Sequence, residues 1–181
     1  MGRNVKIISQ SYIWRFDLSM ILVLLGTQNN SFHRLLEKID ELIEKQIINE
    51  RVIVQAGYTR YESNNMRVFD LIPQEELDRY QEKADLIITH GGVGSIISSI
   101  KKGKKVIAVP RLHKYQEHVN DHQKQIVELF SKKGYIVGIE DISELENAII
   151  QIQDFIPVKY ENNGKGNIKM LKIIEDFIEK I

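Results

Sequence analysis

The chain has 181 residues, enough for one α/β domain, and its 43% hydrophobic and 28% charged content is that of an ordinary globular protein. Its 25 Lys and Arg offset 25 Asp and Glu, and the resulting zero net charge argues against nucleic-acid binding driven by bulk charge. Cysteine is absent, which excludes disulfides, thiolate metal sites and a cysteine nucleophile.

Residues 1–19, MGRNVKIISQSYIWRFDLS, break the pattern that follows. They read either as a leader with an upstream start codon or as an extra edge strand carrying Trp14 and Phe16 to a partner. From Met20 the pattern is regular. MILVLLGTQ (20–28) is an apolar run closed by Gly26 and Thr27, the mark of a strand buried on both faces of a parallel sheet. Phe32, Leu35, Leu36, Ile39, Leu42, Ile43 and Ile47 then recur at helical spacing, with Ser31 placed as N-cap. RVIVQAG (51–57) and the weaker MRVFDLI (66–72) are the next strands. Pro73 opens a short helix over 74–84. A strand over 85–92 leads to a helix over 95–103 that stops at Gly103. A strand over 104–110, a helix over 121–134 ending at Gly134, a strand over 135–139 and a helix over 142–152 follow. A loop with Asn162, Asn163, Gly164 and Gly166 precedes a last helix, 168–181, whose apolar surface is wider than one core-facing stripe.

Strand and helix alternate with short connections. That predicts a doubly wound, mostly parallel α/β sheet, which binds ligands at the carboxyl ends of its strands. The longest apolar stretch, Met20 to Leu25, falls far short of the ~20 residues of a membrane helix. The first 19 residues lack the apolar segment of a secretory signal, so the expected location is cytoplasmic.

The stretch ITHGGVGSIISSIKKGKKVIAVP (88–110) sets His90, Gly91, Gly92, Gly94 and Ser95 between a strand and a helix. A strand end, a glycine-rich turn and a helix start together present free N–H groups at the positive end of a helix, an anion site suited to phosphate. The dinucleotide fingerprint GxGxxG is absent, and so is a Walker loop. Structural roles stay open beside this reading. His90 reads equally as a cap in a tight turn, and the three glycines as close helix–strand packing. Asn120 and Gln123 have the spacing of a capping box. Arg111 and Lys114 read either as facing phosphate or lipid headgroups or, the simpler reading, as a solvated loop. His113, His118 and His122 lack accompanying carboxylates, so they read as solvated side chains and not as metal ligands.

His90-Gly91-Gly92-Val93-Gly94-Ser95, with Gly103-Lys104, Pro110-Arg111 and Asn120-Asp121-His122-Gln123, resembles the carboxyl-terminal, donor-binding half of GT-B glycosyltransferases. The likeness is closest to the Alg13-like, MurG-related branch, with its PssE/EpsF-type subunits of exopolysaccharide and capsule synthesis. It implies a Rossmann-like nucleotide-sugar-binding domain over 20–155, with 156–181 as a loop and carboxyl-terminal helix available to a partner. It also implies that backbone amides around Gly91, Gly92, Gly94 and Ser95 hold the donor diphosphate. His90 would donate to phosphate, and Gly26 and Thr27 would face the diphosphate or the partner. His122 and Gln123 would touch sugar hydroxyls, with Gln55 and Gly57 near the uracil. Ser98 stands where many relatives carry a ribose-binding glutamate, and Ser99 is the substitute at hand.

The implied function is that of the donor-binding catalytic subunit of a two-subunit inverting glycosyltransferase, a hexosyltransferase. It would move a sugar from a UDP-sugar to a lipid-linked diphosphate-sugar acceptor in polysaccharide synthesis. The resemblance implies no cofactor and no metal. It implies a membrane-associated, Alg14-like partner that binds the acceptor and holds this chain at the inner face of the membrane. No residue of the motifs qualifies as general base. A non-catalytic enhancer subunit is the alternative. An epimerase-like sugar-nucleotide enzyme is disfavoured, because a chain this short leaves no room for its second domain.

Overall fold

A computed structural model describes residues 20–161 and 172 of the chain. The readings of 1–19 and of the helix over 168–181 lie outside the described residues. Six parallel strands form one sheet: β1 (Met20–Leu24), β2 (Arg51–Gln55), β3 (Arg67–Phe69), β4 (Leu86–His90), β5 (Lys105–Val109) and β6 (Val137–Gly138). Their order is β3-β2-β1-β4-β5-β6, so the winding reverses between β1 and β4. Among the described residues five helices follow the strands, with none between β2 and β3: α1 (His33–Glu44), α2 (Gln74–Lys83), α3 (Val93–Lys101), α4 (His122–Lys132) and α5 (Leu145–Gln151). This is the doubly wound sheet that the sequence predicts.

The period of two along each strand divides the core. Ile21, Val23, Leu25, Ile88, Ile107 and Val109 pack with the buried side chains of α1 and α5. Leu22, Leu24, Ile87, Val106 and Ala108 pack with those of α3 and α4. β1 and β4 are buried along their whole length, which is why both are written as near-continuous apolar runs. Each fully buried Leu or Ile contributes about 1.5–3 kcal/mol.

Helix boundaries depart from the sequence reading at several places, of which those of α1 and α3 bear on the site. Ser31 does not cap α1. Phe32 is the N-cap residue, without a side-chain cap of its own, and its N–H donates to Thr59 Oγ1 at 3.0 Å. The cap is thus supplied from the loop after β2. At the other end α1 stops at Glu44, because Gln46 turns left-handed (φ 58°) and the N–H groups of Ile47 and Ile48 fold back onto Leu42 O. α3 starts two residues earlier than the pattern suggests, with Gly92 as N-cap. The stops at Gly103 and Gly134 are the left-handed glycines that the sequence marks.

Replacing Thr59 by Val keeps its shape and removes the acceptor for a buried N–H. The expected loss is about 1–3 kcal/mol. Urea unfolding should show a lower midpoint at unchanged slope; an unchanged midpoint would mean that the Thr59 cap contributes nothing.

Candidate functional site

The carboxyl ends of β1, β2, β4 and β5 meet around one side chain, His90, the last residue of β4. Its ring is 8% exposed. Nδ1 lies 3.2 Å from Leu24 O, and since a carbonyl only accepts, Nδ1 carries the hydrogen. Neutral His90 therefore has a lone pair at Nε2. Burial pushes its pKa down to about 4, the bond to Leu24 O opposes that shift, and the nearby Arg111 adds to it. The role expected of His90, donation to a phosphate, is thus not available to the neutral ring: its one hydrogen is already held by β1.

The glycines divide by what a side chain would meet. A Cβ on Gly92 would lie 2.3 Å from His90 Nε2, and one on Gly26 2.6 Å from His90 Cε1. A Cβ on Gly91 would lie 2.7 Å from Gln123 Cβ, where α4 packs on the turn. These three glycines serve close packing. Gly94 is different, because among the described residues nothing lies within 4 Å of its Cβ position, although it sits in the first turn of α3. Packing does not ask for a glycine there.

The amides also divide. Gly92 N–H donates to His90 O at 2.8 Å and is not available to a ligand. Ile96 N–H is the first to bond back within the helix, to Gly92 O. The amides of Val93, Gly94 and Ser95 are thus the free donors at the positive end of α3. Gly94 bares the chain in front of them.

Other expected contacts find different duties. Gln123 is buried, and its Oε1 accepts from Arg111 N at 3.0 Å. The capping-box reading of Asn120 and Gln123 does not apply: Asp121 is the N-cap of α4, and Asn120 Oδ1 accepts from His122 N. His122 opens α4, with Nδ1 3.3 Å from Gln125 Oε1. Gln55 is buried and donates to Gly26 O at 3.2 Å, so its amide braces the loop after β1. Gly57 (φ 61°) lies so close that a Cβ would meet Gly26 O at 2.3 Å. Thr27 is exposed on that loop. Ser99 is fully buried with its hydroxyl on Ser95 O at 2.7 Å, so it does not substitute for a ribose-binding acid. Ser98 donates to Ser95 O and accepts from Gln81 Nε2.

The segment between β5 and α4 is no solvated loop at its base. Arg34 on α1 donates through Nε and Nη2 to both oxygens of Glu117, at 2.9 and 2.8 Å, and Nη2 also reaches Pro110 O. Glu117 Oε2 accepts from Leu112 N as well. Arg111 is 1% exposed, with Nη2 donating to Leu25 O at 2.8 Å and its guanidinium 5.4 Å from the Phe32 ring. A cation so buried was not legible from composition. The one sequence signal was its place directly after a strand-ending proline.

The model of the glycosyltransferase family 28 C-terminal domain matches residues 20–178. A UDP-N-acetylglucosamine transferase subunit ALG13 from Candida glabrata is 36% identical over 131 residues, covering 66% of this chain and 59% of the relative. The chain thus spans about three-fifths of that relative's length. An ALG13 solution structure superposes with a TM-score of 0.54 at 20% identity, covering 77% of this chain and 88% of that one. MurG of Acinetobacter baumannii gives 0.51 at 16% identity, covering 72% and 40%. Both structures show a shared fold.

The His90 geometry sets a pH dependence. A histidine whose pKa falls on folding is protonated first in the unfolded chain, so its stability contribution is complete above about pH 6.5 and drains away toward pH 4. Wild type should lose up to ~3 kcal/mol more than His90→Asn across that window, read from urea unfolding at several pH values. Parallel curves would mean that the His90 pKa does not fall on folding.

Proposed function

The chain belongs to the glycosyltransferase family 28 C-terminal domain family, and on that premise we propose that it is the donor-binding subunit of a two-subunit glycosyltransferase. The observation that carries the reading is the first turn of α3. It has three free amides, and the glycine that covers them has open space in front of it. A UDP-sugar diphosphate fits this place. In the transfer, the bond from the sugar's anomeric carbon to the diphosphate oxygen breaks, and the acceptor hydroxyl oxygen bonds to that carbon from the opposite face. The hydroxyl proton goes to a base, and the negative charge that develops on the departing UDP is what fixed amides at a helix end stabilise. The names of the curated relatives make UDP-N-acetylglucosamine the first donor to test.

The base belongs to a second polypeptide in this reading. Neutral His90 keeps a lone pair at Nε2, but it is buried and its pKa is pushed down to about 4, which makes it a weak base for an acceptor hydroxyl. The loops that follow β2, β3 and β5 expose Tyr58, Leu71, Tyr115 and Val119 around the same edge of the sheet, which supports a covering partner. That partner is an Alg14-like acceptor-binding subunit at the membrane. The acceptor is a lipid-linked diphosphate sugar of exopolysaccharide or capsule synthesis, and the complex works on the cytoplasmic face. Among the described residues no helix is long and apolar enough to cross a membrane. A second reading, an enhancer subunit that binds donor poorly, is favoured by Ser98: its hydroxyl is engaged within the helix pair, and no acid replaces the missing ribose ligand.

Gly94 separates the two. Gly94→Ala removes a helix glycine in open space, so the ligand-free chain should gain about 0.5–1 kcal/mol. The same methyl stands where the diphosphate approaches, so calorimetry should show UDP binding weakened tenfold or more. Absence of UDP binding by wild type selects the enhancer; equal binding by wild type and variant moves the diphosphate away from α3.

Sugar transfer from UDP-N-acetylglucosamine to membrane lipid acceptors should appear when this chain is co-expressed with an Alg14-like chain. The purified chain alone should show no turnover. Equal rates for chain and pair would refute the two-subunit reading.

A further inference from the structure

We propose that Arg111 is a buried receptor for a phosphate oxygen of the donor diphosphate, acting from beneath the loop after β1. The inference rests on the donor-binding reading and extends it to a residue on β5's outgoing chain. Three observations carry it.

First, Arg111 is the largest fully buried side chain, yet Nε and Nη1 find no hydrogen-bond partner among the described residues. One bond, Nη2 to Leu25 O, serves a group with five N–H donors. Buried polar groups left unpaired in native structures are few, and each calls for an explanation such as a functional role or a bound water or ion.

Second, the charge is not compensated. Arg34 and Arg111 both approach the Phe32 ring, at 5.3 and 5.4 Å. The carboxylate beside them, Glu117, is already taken bidentately by Arg34 and also by Leu112 N. Two guanidinium groups therefore share one carboxylate, which leaves one positive charge in excess. Burying a cation without a counter-charge is strongly unfavourable, and a fixed guanidinium fork matches phosphate oxygens in geometry and charge.

Third, the position suits that anion. Arg111 reaches from the end of β5 across the end of β4 to Leu25 O, one residue before Gly26. Gly26 is left-handed (φ 76°), and Thr27, Gln28 and Asn29 beyond it are exposed. The proposal requires this loop to shift so that the guanidinium is uncovered toward the start of α3. A diphosphate held there meets amides from α3 on one side and the guanidinium on the other. Arg111 would then discriminate diphosphate from nucleoside, while the amides of α3 bind any anion.

The test uses the full chain and three probes: UDP, inorganic pyrophosphate and uridine. Melting curves and calorimetry are run on wild type, Arg111→Met and Arg111→Lys. Without ligand, Arg111→Met should melt no lower than wild type, since the apolar replacement removes an unpaired buried charge. Pyrophosphate should raise the melting temperature of wild type. Arg111→Met should lose that rise, and Arg111→Lys should recover part of it. UDP affinity should fall at least tenfold in Arg111→Met, with uridine binding unchanged. Equal pyrophosphate and UDP responses in wild type and Arg111→Met overturn the inference and leave the donor reading intact. A loss that Arg111→Lys does not reduce overturns it too. Wild type that answers neither UDP nor pyrophosphate overturns the donor reading. In that case Arg111→Met melting several degrees below wild type marks Arg111 as a structural pin and overturns the inference separately.

Discussion

The molecule turns on the seating of one imidazole at the point where the winding of the sheet reverses. His90 closes the gap between the ends of β1 and β4, with Leu24 O as its hydrogen-bond acceptor. Its ring leaves no room for a Cβ on either side, which is why Gly26 and Gly92 stand where they do. The constraint then spreads outward. The loop through Gly26 is braced by Gln55 from β2 and approached by Gly57, so the ends of β1, β2 and β4 come together around a single ring. The turn through Gly91 is fixed in the same way from α4. What looks in the sequence like a phosphate loop with three interchangeable glycines is in the fold two packing glycines and one open one.

A second framework holds the segment between β5 and α4. Arg34, Glu117 and Pro110 O tie that segment to α1, and the ion pair is shielded, with side chains 16% and 6% exposed. This differs in kind from the exposed Lys45–Glu41 and Arg79–Glu75 pairs, which screen readily and add little. Gln123 adds a link from α4 to Arg111 N. Residues 110–123 are therefore a braced wall of the candidate site at their base, while Tyr115 and Val119 stay at its exposed rim.

The sheet and its helices were readable from the sequence because fully buried parallel strands have to be apolar throughout, as 20–25 and 86–88 are, and because glycines mark strand and helix ends. The limits were physical. Ser31 looked like a cap, but the cap of α1 is Thr59, 27 residues away in the chain, a contact that only tertiary folding makes. Gln46 ends α1 in a left-handed turn that carries no glycine to announce it. For the candidate site, the strand–turn–helix arrangement of His90 through Ser95 was legible. The direction of the His90 hydrogen was not, because it depends on the Leu24 carbonyl one strand over. The burial of Arg111 was hidden for the same reason: a cation after Pro110 reads as solvated until Phe32 and Leu25 are seen to enclose it.

The corner carries two local disadvantages. Gly94 weakens a helix start where a side chain would fit, by about 0.5–1 kcal/mol relative to alanine. Arg111 keeps a charged group dry with most of its donors idle. Elsewhere the chain follows ordinary rules: left-handed glycines end helices, and a capping box at Asp141 and Glu144 leads into α5. On the reading proposed above, these local disadvantages at the carboxyl ends of β4 and β5, beside the switch in strand order, are those that an incoming negative charge reverses: the anion takes the bare amides of α3 and gives the buried guanidinium its missing partner. Stability would then be held back at the place where binding recovers it.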